Sequence, residues 1–244
     1  AEGYLPVSLE PSEWEAVVGD PETRKAMKAK ALAKAQTEAR AAMAKNWIAE
    51  NGVLTGAADG GTIGSAKNYE NFELILDWKT EGEAAMGIRS IPQIALGGKN
   101  SGALTGNMLH DNAAPKAAAN GPQEWNTMQV KVVSDRVTVV LNGVTTAENV
   151  ILENACNREI PAYAEGQILL IAGNAPLNVR EMYIRFVWTD KERWFPFPCN
   201  GCDEYASHHV CGACIAAVTS MFFADPDADV FEPITLNLND PRSD

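Results

Sequence analysis

The sequence predicts an all-β protein built as a sandwich or barrel of short strands. In NFELILDW, Phe72, Leu74, Leu76 and Trp78 alternate with other side chains, which is the period of a strand with one buried face. Farther on, MQVKVVSDRVTVVLNGVTT has two β-branched runs around a turn, and its Asn-Gly pair at Asn142 is the strongest short signal for a hairpin. Many short strands separated by turns are typical of a sandwich or barrel.

The remaining strands follow from the same signals. The segment NGVLTGAADGGTI (51–63) is rich in glycine and predicts short strands and turns. GQILLIAG (166–173) and REMYIRFVW (180–188) predict two further strands. Residues 1–19 are expected to form an irregular lead-in.

A domain boundary is expected where the regular pattern stops. Pro196 and Pro198 in WFPFP mark this point. We therefore predict a sandwich domain over residues 1–188 and a cysteine-rich extension with an acidic tail over residues 189–244.

A helix is expected from about residue 21 to residue 47. Asp20 can cap its first turn, Pro21 suits the first helical position, and the residues that follow are strong helix formers. One face is apolar and contains Leu32, Ala35, Ala39, Met43 and Trp47. The other face is basic and contains Arg24, Lys25, Lys28, Lys30, Lys34 and Arg40. We interpret the basic face as solvated, with contact to acidic lipid or protein as the alternative.

Net charge and the chain start limit the location and partners of the protein. A net charge of −12 argues against a nucleic-acid-binding surface. Residue 1 is Ala, as in a mature chain whose signal peptide has been removed. The uncharged stretch from Val210 to Ala224 is shorter than the about 20 residues that a membrane-spanning helix needs. We therefore expect an exported protein, periplasmic or extracellular, that can still associate with a membrane.

Five segments together resemble one known family. They are NYENFELILDWK, GPQEWNTMQVKVVSDRVTVVLNG, NVILEN, REIPAYAEGQI and NAPLNVREMYIR. In this order they resemble the 3-keto-disaccharide hydrolase-like family over roughly residues 10–188. The resemblance implies a concanavalin A-like, jelly-roll β-sandwich and activity on 3-keto-glycosides. Within this fold we expect Trp125 to fill the core and Asn126 to bond to nearby backbone.

The resemblance places a sugar site on the concave face, and the chain departs from that site in two segments. In MGIRSIPQIALGGKN, Gln93 is retained, whereas Ala95, Gly97 and Gly98 stand where the family has Gln, Trp and Asp. Arg89 precedes them in a part of the segment that is shortened.

The second departure is in LLIAGNAPLNVREM. Polar family residues are replaced there by Leu169, Ile171, Ala172 and Gly173, and a Trp is replaced by Asn178. Arg180 is retained. The resemblance therefore leaves Arg89, Gln93 and Arg180 as the candidate catalytic residues of an enzyme alternative.

The residues themselves argue against a glycosidase. Glycoside cleavage usually uses two carboxyl groups about 5–9.5 Å apart. Glu73 and Asp77 share one side of a predicted strand, but four residues separate them by about 13 Å. His110 beside Asp111 is a lone candidate base, and we interpret it as an ordinary surface residue.

Four cysteines form two C-x-x-C pairs near the C-terminus. They are Cys199, Cys202, Cys211 and Cys214. In an exported protein such cysteines usually form disulfides, which we favour. The same residues could instead bind zinc or an iron–sulfur cluster, with His208 or His209 replacing one thiolate. No other cofactor is expected, and Cys156 is predicted to be a buried free thiol.

The C-terminal extension carries apolar side chains that a complete sandwich does not need. The aromatic ones are Trp194, Phe195, Phe197, Phe222 and Phe223. Such surface must fold back on its own domain or bury against a partner. These five residues are our candidate contacts with other protein subunits, including membrane-embedded ones.

The sequence as a whole predicts a non-catalytic, exported β-sandwich protein. Its expected role is that of an extrinsic accessory or scaffold subunit of a larger complex, which could be membrane-bound. The alternatives are a glycoside hydrolase or lyase acting on 3-keto-glycosides and a carbohydrate-binding module. A glycan ligand is disfavoured because the polar groups that would bind it are replaced.

Overall fold

A computed structural model describes residues 3–105 and 118–187. Over these ranges the chain forms two antiparallel sheets that pack face to face around one apolar core. The predicted all-β, jelly-roll sandwich is therefore confirmed.

The strands and helices are numbered here in chain order. The strands are β1 (Leu5–Pro6), β2 (Trp14–Ala16), β3 (Trp47–Glu50), β4 (Val53–Gly56), β5 (Gly61–Ser65), β6 (Phe72–Thr80), β7 (Ala84–Gly87), β8 (Gln93–Leu96), β9 (Leu104–Thr105), β10 (Asn126–Val133), β11 (Arg136–Leu141), β12 (Val144–Ile151), β13 (Leu169–Ala172) and β14 (Leu177–Phe186). The helices are α1 (Pro21–Ala26) and α2 (Ala29–Asn46), preceded by a short 3₁₀ turn at Pro11–Glu13.

The two sheets differ in size within the described ranges. The larger sheet has eight strands in the order β12–β11–β10–β6–β14–β4–β3, with β1 paired to β14. The smaller sheet has six strands in the order β2–β5–β13–β7–β8–β9. Strands β1 and β2 both lie in the segment 1–19 that was predicted to be irregular, so that expectation is wrong where these two strands form.

The core follows from strict alternation along the strands. In β6, Phe72, Leu74, Leu76 and Trp78 are each at most 1% exposed, whereas the residues between them are partly exposed. Moving one such side chain out of water contributes about 1.5–3 kcal/mol. The predicted buried face of this strand is confirmed.

The hairpin between β11 and β12 turns at the predicted Asn-Gly pair. Asn142 and Gly143 have φ angles of 50° and 82°, so both turn residues adopt positive φ. The Asn142 side chain donates to the Ala118 carbonyl oxygen at 2.9 Å and accepts from the Thr127 N–H at 2.8 Å. This asparagine therefore also fixes the segment that leads into β10.

Trp125 and Asn126 are neighbours in the sequence, and the structure confirms the predicted role of only one of them. Asn126 accepts a hydrogen bond from the Asn120 N–H at 2.8 Å and donates to the Glu124 carbonyl at 3.1 Å, as predicted. The expectation that Trp125 fills the core is wrong. Because Asn126 faces inward at the start of β10, its neighbour Trp125 faces outward, where the Arg180 guanidinium lies 4.0 Å from its ring centroid.

The prediction of one continuous helix over residues 21–47 is wrong, because the helix is interrupted at Met27 and Lys28. Both residues adopt extended backbone conformations, with ψ of 140° and 142°. The side chain of Arg24 in α1 donates to the Gly19 carbonyl at 2.8 Å, and Lys25 donates to the Tyr163 hydroxyl at 3.1 Å. The break therefore occurs in residues that favour helix, and it is accompanied by these contacts of α1 with other parts of the chain.

Helix α2 lies beside β2, β3 and β5 without burying any residue completely. Its partly covered residues include the predicted apolar stripe of Leu32, Ala35, Ala39 and Met43. Trp47, which was assigned to the same stripe, is the first residue of β3 and is 2% exposed. Within the described ranges, no helix is long and apolar enough to cross a membrane.

Candidate functional site

Gln93 lies on the outer face of the smaller sheet together with three of the altered family positions, Ala95, Leu169 and Ile171. Strand pairing places Gln93 opposite Gly87, Gly87 opposite Leu169, Leu169 opposite Gly64, and Gly64 opposite Glu15. These five residues form one row across the sheet, pointing away from the core. We call this surface the outer face.

The next row of the outer face is small and apolar. It contains Ala95, Ala85, Ile171 and Thr62, which are paired with one another in this order. Sugar hydroxyls need hydrogen-bond donors and acceptors, and this row supplies only the threonine hydroxyl from its side chains.

The centre of the first row is filled by a leucine. Leu169 is 6% exposed although it lies outside the main core cluster, and its side chain lies across Gly87. A Cβ added to Gly87 would lie 2.8 Å from the Leu169 Cβ and 2.9 Å from its Cδ1. A larger residue at position 87 would therefore displace this leucine.

Among the residues that the structure describes, Glu15 and Glu83 are two carboxylates beside this face, and they lie far apart. Glu15 is on the edge strand β2, and its Oε2 accepts a hydrogen bond from Gln167 Nε2 at 3.0 Å. Glu83 immediately precedes β7, which is the third strand from β2 in the sheet. It lies four residues before Gly87, the β7 residue in the row that contains Glu15. Standard sheet spacings place the two about 20 Å apart, which is well beyond the separation that a two-carboxylate glycosidase uses.

Arg89 is placed by packing against backbone rather than by the outer face. It is 3% exposed, and its Nε and Nη2 donate to the Glu70 carbonyl, the Nε bond being 2.9 Å. Its Nη1 donates to the carbonyls of Ser134 at 2.6 Å and Tyr163 at 3.3 Å. Burial lowers the pKa of its guanidinium, while Glu70 and Asp135 act in the opposite direction. The side chain thus connects three chain segments.

Arg180 lies on the opposite side of the molecule, on the outer surface of the larger sheet. Its Nε lies 3.3 Å from Asp77 Oδ2, and its guanidinium stacks on Trp125. The Thr127 hydroxyl also donates to Asp77, at 2.6 Å. The structure therefore does not bring Arg180 together with Gln93 on one surface.

Gly97 and Asn178 stand where the family has tryptophan, and the contacts of each position account for the residue that is present there. An added Cβ at Gly97 would lie 2.0 Å from the Gly82 carbonyl oxygen, and the φ of Gly97 is +75°. Asn178 lies on the larger sheet, where its Oδ1 accepts from the Thr55 hydroxyl at 3.0 Å. The expectation that both positions belong to one sugar-binding face is wrong, because they lie on different sheets.

Glu73 is an acid on the outer surface of the larger sheet that neighbouring side chains already bind. Burial alone would raise the pKa of its carboxyl group, but hydrogen bonds from Tyr4, Lys131 and Arg185 outweigh burial and lower it. The Tyr4 hydroxyl donates at 2.9 Å, and Lys131 Nζ lies 3.1 Å away. Glu73 is thus held as a charged structural group.

Cys156 is a free thiol, as predicted, but the expectation that it is buried is wrong. It lies exposed after Asn154, whose side chain accepts the Cys156 N–H at 3.2 Å. Partial desolvation, followed by the charges of Asp20 and Glu22, raises the pKa of this thiol. Among the residues that the structure describes, no group of three or more metal-ligating side chains is present.

Several residues to which the sequence analysis assigned a role lie outside the described ranges. They are His110, the cysteines Cys199, Cys202, Cys211 and Cys214, and the aromatic residues Trp194, Phe195, Phe197, Phe222 and Phe223. Their roles therefore stay predictions. Sequence reasoning missed Glu15, although its alternation with Trp14 and Ala16 is the signal of a short strand.

The comparison with family models assigns the class. The model of the 3-keto-alpha-glucoside-1,2-lyase-like domain matches residues 12–185, which is more than half of the chain. The protein is therefore a β-sandwich of the carbohydrate-related class. It belongs to the family of 3-keto-alpha-glucoside-1,2-lyase-like domains, and the resemblance found in the sequence is confirmed.

Solved structures with a similar arrangement have low sequence identity. A proposed glycosyl hydrolase from Parabacteroides distasonis is 22% identical, with a TM-score of 0.48, over 59% of this chain and 91% of that one. A second one from the same organism is 18% identical, with a TM-score of 0.44, over 59% and 84% of the two chains. The carbohydrate-binding module CBM66 from Bacillus subtilis is 15% identical, with a TM-score of 0.42, over 57% and 91%. No curated protein matches the chain.

Proposed function

We propose that this chain is a non-catalytic member of its family that acts as an extrinsic accessory subunit of a larger protein assembly. The observation that carries the proposal is the outer face of the smaller sheet. Its first row retains Gln93, but Gly87, Gly64 and Leu169 occupy the positions between Gln93 and Glu15. Acid–base catalysis needs titratable groups within hydrogen-bond reach of a substrate, and the middle of this row has none.

The retained arginines support the same proposal. Arg89 donates to three backbone carbonyls, and Arg180 pairs with Asp77 on the other sheet. Packing thus accounts for both residues without a substrate.

The rival function is cleavage of 3-keto-glycosides, which the family name suggests. Elimination next to a ketone needs a base that removes the neighbouring proton. The specific observation in its favour is that Gln93 remains on the outer face and that Glu83 is exposed immediately before the start of β7. Glu83 is therefore the base that we assign to this rival function. The carbohydrate-binding alternative would use Gln93 without turnover.

Location and cofactors form part of the proposal. We place the protein outside the cytoplasm, in contact with other subunits that include membrane-embedded ones, with Cys199, Cys202, Cys211 and Cys214 paired as disulfides. Zinc or an iron–sulfur cluster at the same cysteines is the competing assignment. Alkylation of the denatured, non-reduced protein separates them: one reactive thiol supports disulfides, whereas four or five contradict them.

Native mass spectrometry of the gently isolated protein, together with a turnover assay on a 3-keto-glucoside, tests the function. A stable complex with other subunits and no turnover is the expected result. Turnover that is lost in Glu83→Gln, while the matched surface variant Glu50→Gln keeps it, would overturn the proposal in favour of the rival enzyme. Glu50 is on β3 of the larger sheet, away from the outer face.

A further inference from the structure

A cleft lies between helix α2 and the edge strand β2. Its volume is about 440 Å³, within the range of ligand-binding pockets. The strand side is formed by Trp14, Glu15 and Ala16. The helix side is formed by Gln36, Arg40, Met43 and Ala44, which are spaced by four, three and one residues and therefore share one face. The cleft thus combines apolar walls with polar groups of both signs.

Within the described ranges, the strand side of the cleft presents backbone groups of Ala16 that no neighbouring strand pairs with. The Val17 N–H donates to the Thr62 carbonyl at 3.1 Å, so Val17 and, two residues earlier, Glu15 direct their backbone groups toward β5. Ala16 must then direct its N–H and C=O away from β5, toward the free edge. Within the described ranges, β5 is the only strand that pairs with β2. Such an edge can accept an additional strand.

The two charged side chains of the cleft, Glu15 and Arg40, differ in whether they already have a partner. Glu15 is already bonded to Gln167 at 3.0 Å. Among the residues that the structure describes, no carboxylate lies within ion-pair distance of Arg40, and Arg40 is exposed. A ligand that enters the cleft therefore meets an available cation next to the apolar side chain of Met43.

We propose that this cleft binds an extended peptide segment of a partner protein, which adds a strand to the free edge of β2. The segment alternates apolar and acidic side chains. Its backbone bonds to Ala16, an apolar side chain packs on Met43, and a carboxylate pairs with Arg40. This inference rests on the proposed accessory function and names the surface and the chemistry through which a partner is recognised.

A fluorescein-labelled peptide of sequence Ser-Val-Glu-Val-Glu-Val-Ser tests the cleft on the full chain. Arg40→Glu should weaken binding about 2- to 30-fold, because an exposed ion pair is lost and replaced by repulsion of similar size. Lys30→Glu is the matched control, since Lys30 is exposed on α2 and does not line the cleft, so its affinity should stay unchanged. The same peptide with lysine in place of glutamate should bind the Arg40→Glu protein better than the wild-type protein.

Two further measurements separate strand addition from a general charge effect. Hydrogen exchange at the Ala16 amide should slow when the acidic peptide is added, since that N–H gains an acceptor. N-methylation of the central valine of the peptide should weaken binding. If Arg40→Glu and Lys30→Glu lose affinity equally, or if hydrogen exchange at the Ala16 amide is unaffected, the peptide binds elsewhere and the proposal is overturned.

The native assembly distinguishes failure of the cleft from failure of the proposed function. A photo-reactive amino acid at position 36 should cross-link to an acidic, extended segment of a neighbouring subunit, whereas the same group at position 30 should not. If the assembly forms but position 36 cross-links to no such segment, the cleft is not the docking site and the accessory function stands. If the cross-link joins two copies of this chain, the occupant is a second copy and the proposed partner is wrong.

Discussion

Replacing Arg89 should destabilise the fold rather than remove a catalytic group. The Arg89→Met variant keeps most of the aliphatic volume and deletes the donors that reach the carbonyls of Glu70, Ser134 and Tyr163. These carbonyls belong to the lead-in to β6, the turn between β10 and β11, and the loop that precedes β13. The substitution therefore disconnects three segments at once.

The size of the effect follows from the hydrogen bonds. A hydrogen bond to a charged group contributes about 1.5–3 kcal/mol, and an unpaired buried acceptor costs about 1–3 kcal/mol. Because the methionine regains part of the apolar burial and the carbonyls can relax, we expect a net loss of about 4 kcal/mol. For a domain of this size, that corresponds to a fall in Tm of about 8–16 °C.

Urea unfolding followed by tryptophan fluorescence, together with thermal unfolding by circular dichroism, measures the change. Arg136→Met is the matched control, since Arg136 is exposed and its Nε lies 3.7 Å from Asp135 Oδ1 in a surface pair. That variant should stay within about 0.5 kcal/mol of the wild-type protein. If Arg89→Met is as stable as Arg136→Met, the structural role assigned to Arg89 is wrong.

Three further outcomes follow from the described contacts. Gly97→Ala should destabilise more than Gly143→Ala in urea unfolding: both glycines have positive φ, but an added Cβ meets an atom at 2.0 Å only at Gly97 and meets nothing within 4 Å at Gly143. Because its folded-state pKa is lowered, Glu73 should contribute stability that is present near pH 7 and declines as the pH falls through that lowered pKa. Glu73→Gln should therefore cost about 1 kcal/mol near pH 7 and progressively less as the pH falls, as measured by urea unfolding at each pH. Asp20→Asn keeps a capping side chain but removes a negative charge that raises the pKa of Cys156. Alkylation of Cys156, followed by mass spectrometry, should therefore be faster near neutral pH in this variant, and an unchanged rate would contradict this.

The fold was predictable because its strongest signals are local. The alternation from Phe72 to Trp78 and the turn at Asn142 need only neighbouring residues to specify a buried strand face and a hairpin. The break at Met27 was not predictable in this way, since the residues there favour helix and the interruption comes with contacts to a distant residue, Tyr163.

The candidate site was less predictable, because motifs do not report which surface a residue faces. Arg89 and Arg180 were grouped with Gln93 through family positions alone. Pairing between strands places Arg180 on the other sheet from Gln93, whereas Arg89 is held away from the outer face by its bonds to backbone carbonyls. The register of one strand decides whether Trp125 or Asn126 enters the core. A motif match could not supply that register.

The outer face and the cleft beside α2 meet at Glu15, and this connection links the two proposals. Glu15 ends the first row of the outer face and also lines the cleft. Gln167 holds its carboxylate from the adjacent loop. A ligand that spans the whole first row would reach Glu15, whereas a peptide added to β2 would cover it. Occupation of the cleft and binding of a glycan across the row should therefore exclude each other, so the acidic peptide should inhibit any glycan binding that the wild-type protein shows and should do so less well in Arg40→Glu.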